Sequence, residues 1–273
     1  MTRLLRIAAF ASALLLSACA GLPAAQVARP LQVEASADAR AALAPTGRLR
    51  VGVYPGSPTS WVKNPQTGES AGIALELGRL MADTLQVPIE VVEFARVAEI
   101  VAALKAGQVD MTFTNASPAR ARDVDFTAPL LQLELGLLVP PGSAITDFSG
   151  ADRAGLRIGV SQGSSSQAAL GSRLQQARVV PTASLEAARQ MFQTGQLDAF
   201  ATNKGILFEM AEKLPGYTVL PDRWGLEHLA IAVPKGREAG RAFVQAFAEQ
   251  VQRQGRLKAM AERAGLRGIA PGP

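Results

Sequence analysis

Gly163-Ser164-Ser165-Ser166 is the stretch of this chain best equipped to hold an anion. It stands between an apolar run, Ile158-Gly159-Val160, and helical spacing near residues 167–174. A helix N-terminus offers unpartnered amides, and a neighbouring glycine lets the backbone approach closely, so the pair makes a ready anion site. The same residues also make a plain serine N-cap. Arg120 offers matching chemistry, because a guanidinium is a planar donor fork that a carboxylate meets with two parallel hydrogen bonds. Asp123 and Asp125 are near enough in sequence to pair with it instead, and Arg122 reads as a solvated neighbour. The indole of Trp61 suits an apolar or cationic ligand portion, or else caps a surface. Trp224 lines a cleft or packs a crossing. His228, the only histidine, has no Cys, Asp or Glu cluster at ligand spacing, so it reads as a strand residue rather than a catalyst. With no nucleophile–base pair, metal cluster or phosphate loop, no metal and no cofactor are expected.

These residues need a frame, and the hydrophobic pattern supplies one. Leu49 to Tyr54 alternates as a strand, and Pro55, Gly56 and Pro58 break it into the loop that carries Trp61. Ile73, Leu77, Leu80, Met81 and Leu85 recur at helical spacing, followed by a strand over 89–94. A helix through Val97 and Leu104 stops at Gly107, and 111–114 is a short strand. Strand and helix in alternation predict a parallel α/β sheet. The pattern then repeats from Leu156-Arg157-Ile158-Gly159-Val160 to a helix through Met210. Apolar strands at 133–139 and 228–233 join the two halves, and two helices through Phe247 and Met260 follow. The chain thus leaves the first lobe, builds the second and returns, and two crossings make a hinge.

The chain has 273 residues with 48% apolar, which excludes a disordered chain and leaves room for two modest lobes. A single cysteine excludes a disulfide framework. The net charge of +5 is spread without a basic block, so no nucleic-acid partner is expected. Arg3 and Arg6 precede an apolar stretch from Ile7 to Leu16, too short for a span, which makes residues 1–18 a signal peptide. Its end, Leu16-Ser17-Ala18-Cys19, resembles the lipobox of bacterial lipoproteins, in which Cys19 would be lipidated. Removing residues 1–18 takes two arginines and no acid, so +5 becomes +3. Residues 19–47 then read as lipidated cysteine and tether. Ala20 after the cysteine, where an Asp would retain the protein at a Gram-negative inner membrane, points to the outer membrane; a Gram-positive host would use its cell membrane.

Five segments in order carry a family resemblance: Leu49–Val53 leading to Gly72–Leu77; Leu104-Lys105-Ala106-Gly107-Gln108-Val109-Asp110; Ser117 to Pro129; Ile158-Gly159-Val160 with Gly163–Ser166; and Gly195-Gln196-Leu197-Asp198-Ala199. Over about 48–268 the chain resembles the extracellular solute-binding proteins of family 3, which serve polar amino-acid ABC importers. That resemblance implies a two-lobed type II periplasmic-binding-protein (Venus-flytrap) α/β fold with two hinge crossings. Lobe 1 is expected over 48–136 and 232–268, lobe 2 over 137–231, and a tail over 269–273.

The resemblance further implies that Arg120 and the Ser164–Ser165 loop grip a ligand carboxylate from opposite lobes, with Trp61 stacking on the solute. Thr114, Asn115 and Ser117 would reach the ligand from a segment about two residues shorter than usual. Where the family's amino-acid binders place an aspartate for the ligand ammonium, this chain has Asn203. Either another acid, Glu69 or Glu227, takes the ammonium, or the ligand has none. The expected protein is a periplasmic, lipid-anchored, monomeric receptor that passes a small anionic, carboxylate-bearing solute to an ABC permease. Alternatives are a cyclohexadienyl dehydratase using Glu69 or Glu227 as acid, and a ligand sensor that needs a second protein for its output.

Overall fold

The computed structural model describes residues 30–63 and 67–271, so the expectations placed on residues 1–18, Cys19 and Ala20 lie outside the described residues. No helix among the described residues is long and apolar enough to cross a membrane.

In chain order the first half comprises α1 (Ala37–Leu43), β1 (Leu49–Val53), β2 (Val62–Lys63), β3 (Ser70–Ala71), α2 (Ile73–Leu85), β4 (Ile89–Glu93), α3 (Val97–Lys105), β5 (Thr112–Asn115), α4 (Pro118–Ala121) and β6 (Val124–Phe126). Strand β7 (Leu131–Val139) leads out of it. The second half contains β8 (Arg157–Ser161), α5 (Ser165–Arg173), β9 (Arg178–Thr182), α6 (Leu185–Gln193), β10 (Ala199–Asn203), α7 (Lys204–Glu212) and β11 (Thr218–Val219). Strand β12 (Gly225–Pro234) leads back to α8 (Glu238–Arg253) and α9 (Arg256–Arg263).

Within each half the strands that precede helices pair in parallel, β1 with β4 and β8 with both β9 and β10. The crossing strands depart from the all-parallel expectation. β7 and β12 pair antiparallel with one another, β12 with β5, and β7 with β10. The reason is topological: β7 leaves the first half and β12 re-enters it, so the two run in opposite directions and impose that sense on their neighbours. A change of core marks the passage. On β7, Leu133 packs in the first hydrophobic cluster and Leu135 in the second. On β12, Leu229 and Ile231 belong to the first cluster, and nearby Trp224 to the second.

Helix α2 shows how local pattern becomes packing. Ile73, Leu77, Met81 and Leu85 form one stripe, and all are buried. Gly78 lets that stripe close on β1, where a Cβ would lie 2.5 Å from Val51 Cγ2.

Part of the expected tether is instead folded. Ser36 caps α1 by accepting from the Ala39 amide, and the run Ala-Asp-Ala-Arg-Ala-Ala-Leu has high helix propensity. Ala39 and Leu43 are buried with α8, where Gly240 makes room for the Leu43 side chain. The C-terminal segment is placed too. The Glu134 amide donates to the Gly268 carbonyl (2.9 Å) and the Ala270 amide to that of Gln132 (3.0 Å), so 268–270 runs along β7. Arg267 lies over the Phe208 ring of α7 at 4.5 Å and pairs with Glu212.

The two halves share a further device. Arg50 at the start of β1 donates Nε to Asp110 Oδ2 and Nη2 to Asp110 Oδ1, both at 2.9 Å. Arg157 at the start of β8 does the same to Asp198, again at 2.9 Å for each bond. Each aspartate also accepts its arginine's backbone amide. A fork thus fastens the edge of each half to the loop before its next strand.

Candidate functional site

Two cavities lie between residues of the two halves. The wider, of about 510 Å³, is walled by Pro55, Glu93, Phe94, Leu185, Arg189 and Lys213 among others. Its cations are already matched, Arg189 by Glu186 and Lys213 by Glu209. The narrower has only about 30 Å³ of free room, enough for a water or two. It is lined from the first half by Tyr54, Thr59, Phe113, Thr114 and Arg120, from the second by Ser161, Ser164, Ser165, Thr202 and Asn203, and by Glu227 of β12. This smaller cavity holds the unmatched charge, and it is the candidate site.

Arg120 reaches it from α4, a single turn capped by Ser117 with Pro118 at its first position. Arg120 is only 9% exposed. Nη1 donates to Thr114 Oγ1 at 2.7 Å and to the Asn115 carbonyl at 3.4 Å, while Nε and Nη2 have no partner among the described residues. The acids that could have claimed it are engaged elsewhere, Asp123 with Lys105 and Asp125 with Lys235. Burial pulls the Arg120 pKa down, against the opposing pull of Glu227 and Tyr54. Burial likewise pushes the Tyr54 phenol up.

On the facing side, Ser164 caps α5 by accepting from the Gln167 amide, so the plain cap and the cavity wall are the same residue. The amides of Ser165 and Ser166 make no hydrogen bond among the described residues, which leaves donors at a helix N-terminus opposite Arg120. Gly163 adopts φ +72°, and a Cβ there would lie 2.6 Å from Ala98 Cβ of α3 in the other half. Three polar contacts run in one chain along the wall, and the first of them joins the two halves. Asn115 Nδ2 donates to Ser165 Oγ (3.2 Å), Ser165 Oγ donates to Glu227 Oε1 (3.0 Å), and Asn203 Nδ2 donates to Glu227 Oε2 (2.9 Å).

Arg120, Thr114, Ser164, Ser165 and Asn203 therefore converge on one cavity. Asn115 stands at its edge through Ser165, and its Oδ1 accepts the His228 amide. Ser117 supports the Arg120 turn without lining the cavity. Trp61 is not among the residues that line this cavity. It is half-buried against the first core, and its backbone bridges to Pro55 and Ser57. The aromatic on the wall is Tyr54, which packs against apolar clusters of both halves. Trp224 packs on Phe148 at 5.7 Å and donates Nε1 to the Gly136 carbonyl. Glu69 is exposed outside the cavity, and His228 is exposed on β12. Glu227 was open to a signal from strand alternation. His228 faces out while Glu227 and Leu229 face in, so an acid shares the core face of an apolar strand.

This fold is that of the type II periplasmic binding proteins. Residues 49–266 match the bacterial extracellular solute-binding proteins, family 3, and the chain belongs to that family. It is a binding protein rather than an enzyme, of a class that works outside the cytoplasm. Among curated proteins it is similar to the ABC transporter glutamine-binding protein GlnH of Bacillus subtilis (strain 168), 25% identical over 230 residues, covering 82% of this chain and 83% of that one. Among solved structures it is similar in fold to an amino acid ABC transporter substrate-binding protein from Streptococcus pneumoniae bound to L-arginine. That match has TM-score 0.72 and 18% identity, covering 85% of this chain and 99% of that one. A third likeness is to the ancestral amino acid-binding protein AncCDT-1, a precursor of cyclohexadienyl dehydratase. Its TM-score is 0.71 at 24% identity, covering 82% of this chain and 98% of that one.

Proposed function

We propose that this protein is the lipid-anchored, monomeric receptor of an ABC importer, and that it captures a carboxylate-bearing, amino-acid-like solute by hinge closure. The observation that carries the reading is Arg120, a buried guanidinium with no acid partner among the described residues, facing a cavity walled from both halves. A buried charge without a partner is costly, so a fold that keeps one needs a counter-ion that arrives. The solute carboxylate takes the free edge of Arg120 and, on closure, the amides at the start of α5. The described cavity is too small for an amino acid, so the lobes separate to admit one and close over it. In this reading residues 48–136 and 232–268 move against residues 137–231, and Cys19 holds the mature chain at the membrane. The relative named as a glutamine-binding protein and the structural neighbour bound to L-arginine support an amino acid as the solute class.

Thermal melting of the purified protein against the amino acids and their amine-free counterparts tests this. A true ligand at 100 times its Kd adds about 2.7 kcal/mol, which raises the Tm of a chain this size by roughly 5–10 °C. If no carboxylate moves the Tm, the reading falls.

Closure has its own test. Ala98 of α3 meets Gly163 in the closed form, so Ala98→Leu should wedge the lobes apart without touching a cavity residue. Ligand affinity is expected to fall at least tenfold, with an increased radius of gyration in ligand-saturated scattering. Unchanged affinity would mean that closure does not bring these surfaces together.

A further inference from the structure

The two halves already touch, yet a wide space stays between them. Gly56 of the first half adopts φ +82°, and a Cβ there would lie 3.3 Å from Leu185 Cδ1 of the second. A Cβ on Gly163 would lie 2.6 Å from Ala98 Cβ across the same divide. Further closure would force these surfaces into one another, so the cavity of about 510 Å³ is not a gap that closing removes. Its size falls within the roughly 300–1,000 Å³ of small-molecule sites. Ala95 and Leu185 line this wide cavity and the narrow one alike, so the two abut.

The two cavities differ in what they can hold. The narrow one has about 30 Å³ of free room beside Arg120. That takes the two oxygens of a carboxylate, which need about the space of two waters, and little more. The wide one offers apolar surface from both halves, Pro55 and Phe94 on one side and Leu185 and Met210 on the other. Its arginine and lysine are matched by Glu186 and Glu209, so among the described residues it keeps no free cation for a second anion. A neutral, largely apolar group suits such a wall, because its burial removes apolar surface from water and strands no charge.

We propose that the wide cavity belongs to the solute site and holds the body of a ligand whose carboxylate alone enters the narrow cavity at Arg120. A bulky, largely apolar substituent fills the wide cavity past Ala95 and Leu185. The ligand class is then amino acids extended by an aromatic or acyl group, such as N-aroyl amino acids and aromatic dipeptides, rather than free amino acids. The inference rests on the receptor reading above and adds a body to the head that Arg120 grips. Leu185 marks the boundary between head and body, and α6, which carries it, is the part of the second half that covers the substituent.

The test is calorimetric titration of the purified full-length protein with each proteinogenic L-amino acid, its N-benzoyl derivative and the dipeptide that carries phenylalanine before it. The best extended compound is expected to bind at least about tenfold more tightly than the best free amino acid. Glu93 and Lys213 are exposed and line only the wide cavity, so Glu93→Trp and Lys213→Trp fill it without touching the core or the narrow cavity. At least one of the two should weaken the extended compounds about tenfold or more, while free amino acids change by less than about twofold. Arg120→Met should remove binding of both kinds, since the head is shared. Free amino acids that bind as tightly as their extended forms overturn the inference and leave the receptor reading intact. So does a preference for extended forms that both tryptophan variants leave unchanged. If no compound of any kind binds, the receptor reading fails first and the inference fails with it.

Discussion

Replacing Arg120 by methionine is expected to remove measurable solute binding while leaving the Tm unchanged or higher. The two halves of that result follow from one fact. The guanidinium is buried without an ion pair among the described residues, so it carries a desolvation penalty that two hydrogen-bond acceptors, Thr114 Oγ1 and the Asn115 carbonyl, and the pull of Glu227 on the same cavity wall offset in part. Methionine fills similar volume without the charge, and exchanges of this kind are often neutral or stabilising by about 1–4 kcal/mol. Binding responds the other way. Losing one member of a buried, hydrogen-bonded charge pair costs about 2–5 kcal/mol, or roughly 30- to 4,000-fold in affinity. Calorimetry and thermal melting of the same preparation check both. A variant that binds normally would place the carboxylate elsewhere, and one that melts far below wild type would make Arg120 a structural residue.

Asp110→Ala is the change expected to do most harm to stability, about 3–5 kcal/mol, or a Tm lowered by roughly 6–20 °C. The Asp110 side chain is fully buried and uses both oxygens. Oδ2 accepts the Arg50 amide and Nε, and Oδ1 accepts Arg50 Nη2 and pairs with Arg237 Nη1 at 2.8 Å. Its removal strands two arginines at once. The equivalent change at Asp198 should be milder, about 1–2 kcal/mol, because that fork lacks a second arginine and its side chains are 30–38% exposed. The Asp198 case also carries a pH signature. The Arg157 fork holds the Asp198 carboxyl below the usual carboxylate range. A depressed folded pKa contributes stability above the unfolded value, near 3.9, and loses it as pH falls through the folded pKa. The gap between wild type and Asp198→Asn should therefore be full near neutrality and narrow below about pH 4. A gap constant from pH 7 to 3 would show that the fork adds nothing through charge.

Much of the frame was legible because it rests on short-range pattern. The alternation at 49–53 and 156–160, the stripe through Ile73, Leu77, Met81 and Leu85, and the glycine-serine loop before α5 each describe their own element. What escaped was set by distant partners. The sense of β7 and β12 depends on where the chain is going, not on the residues of either strand. The helix at 37–43 is short, and its helicity is secured by α8, some 200 positions later in the chain. Trp61 is the aromatic that its chemistry recommends, but the hydroxyls of Ser57, Thr59 and Ser60 tie the turn to Tyr54, and Tyr54 lines the cavity. Glu69 and Glu227 are equivalent by residue type, and only burial on β12 and contacts with Ser165 and Asn203 distinguish Glu227 from exposed Glu69.

The chain's last described stretch gives the passage between lobes an extra ply. Residues 268–270 are stitched along β7, and Arg267 rests on Phe208 of the second lobe although the preceding helices belong to the first. A ribbon of three plies resists twist more than one of two, so any motion of one half against the other would have to bend the strand pair and also peel or carry this third layer. The far end of the chain is thereby geared to the jaw it does not belong to by sequence. A dye placed at Arg267, which lies against α7, would report any shift of the second half against the helices that precede it.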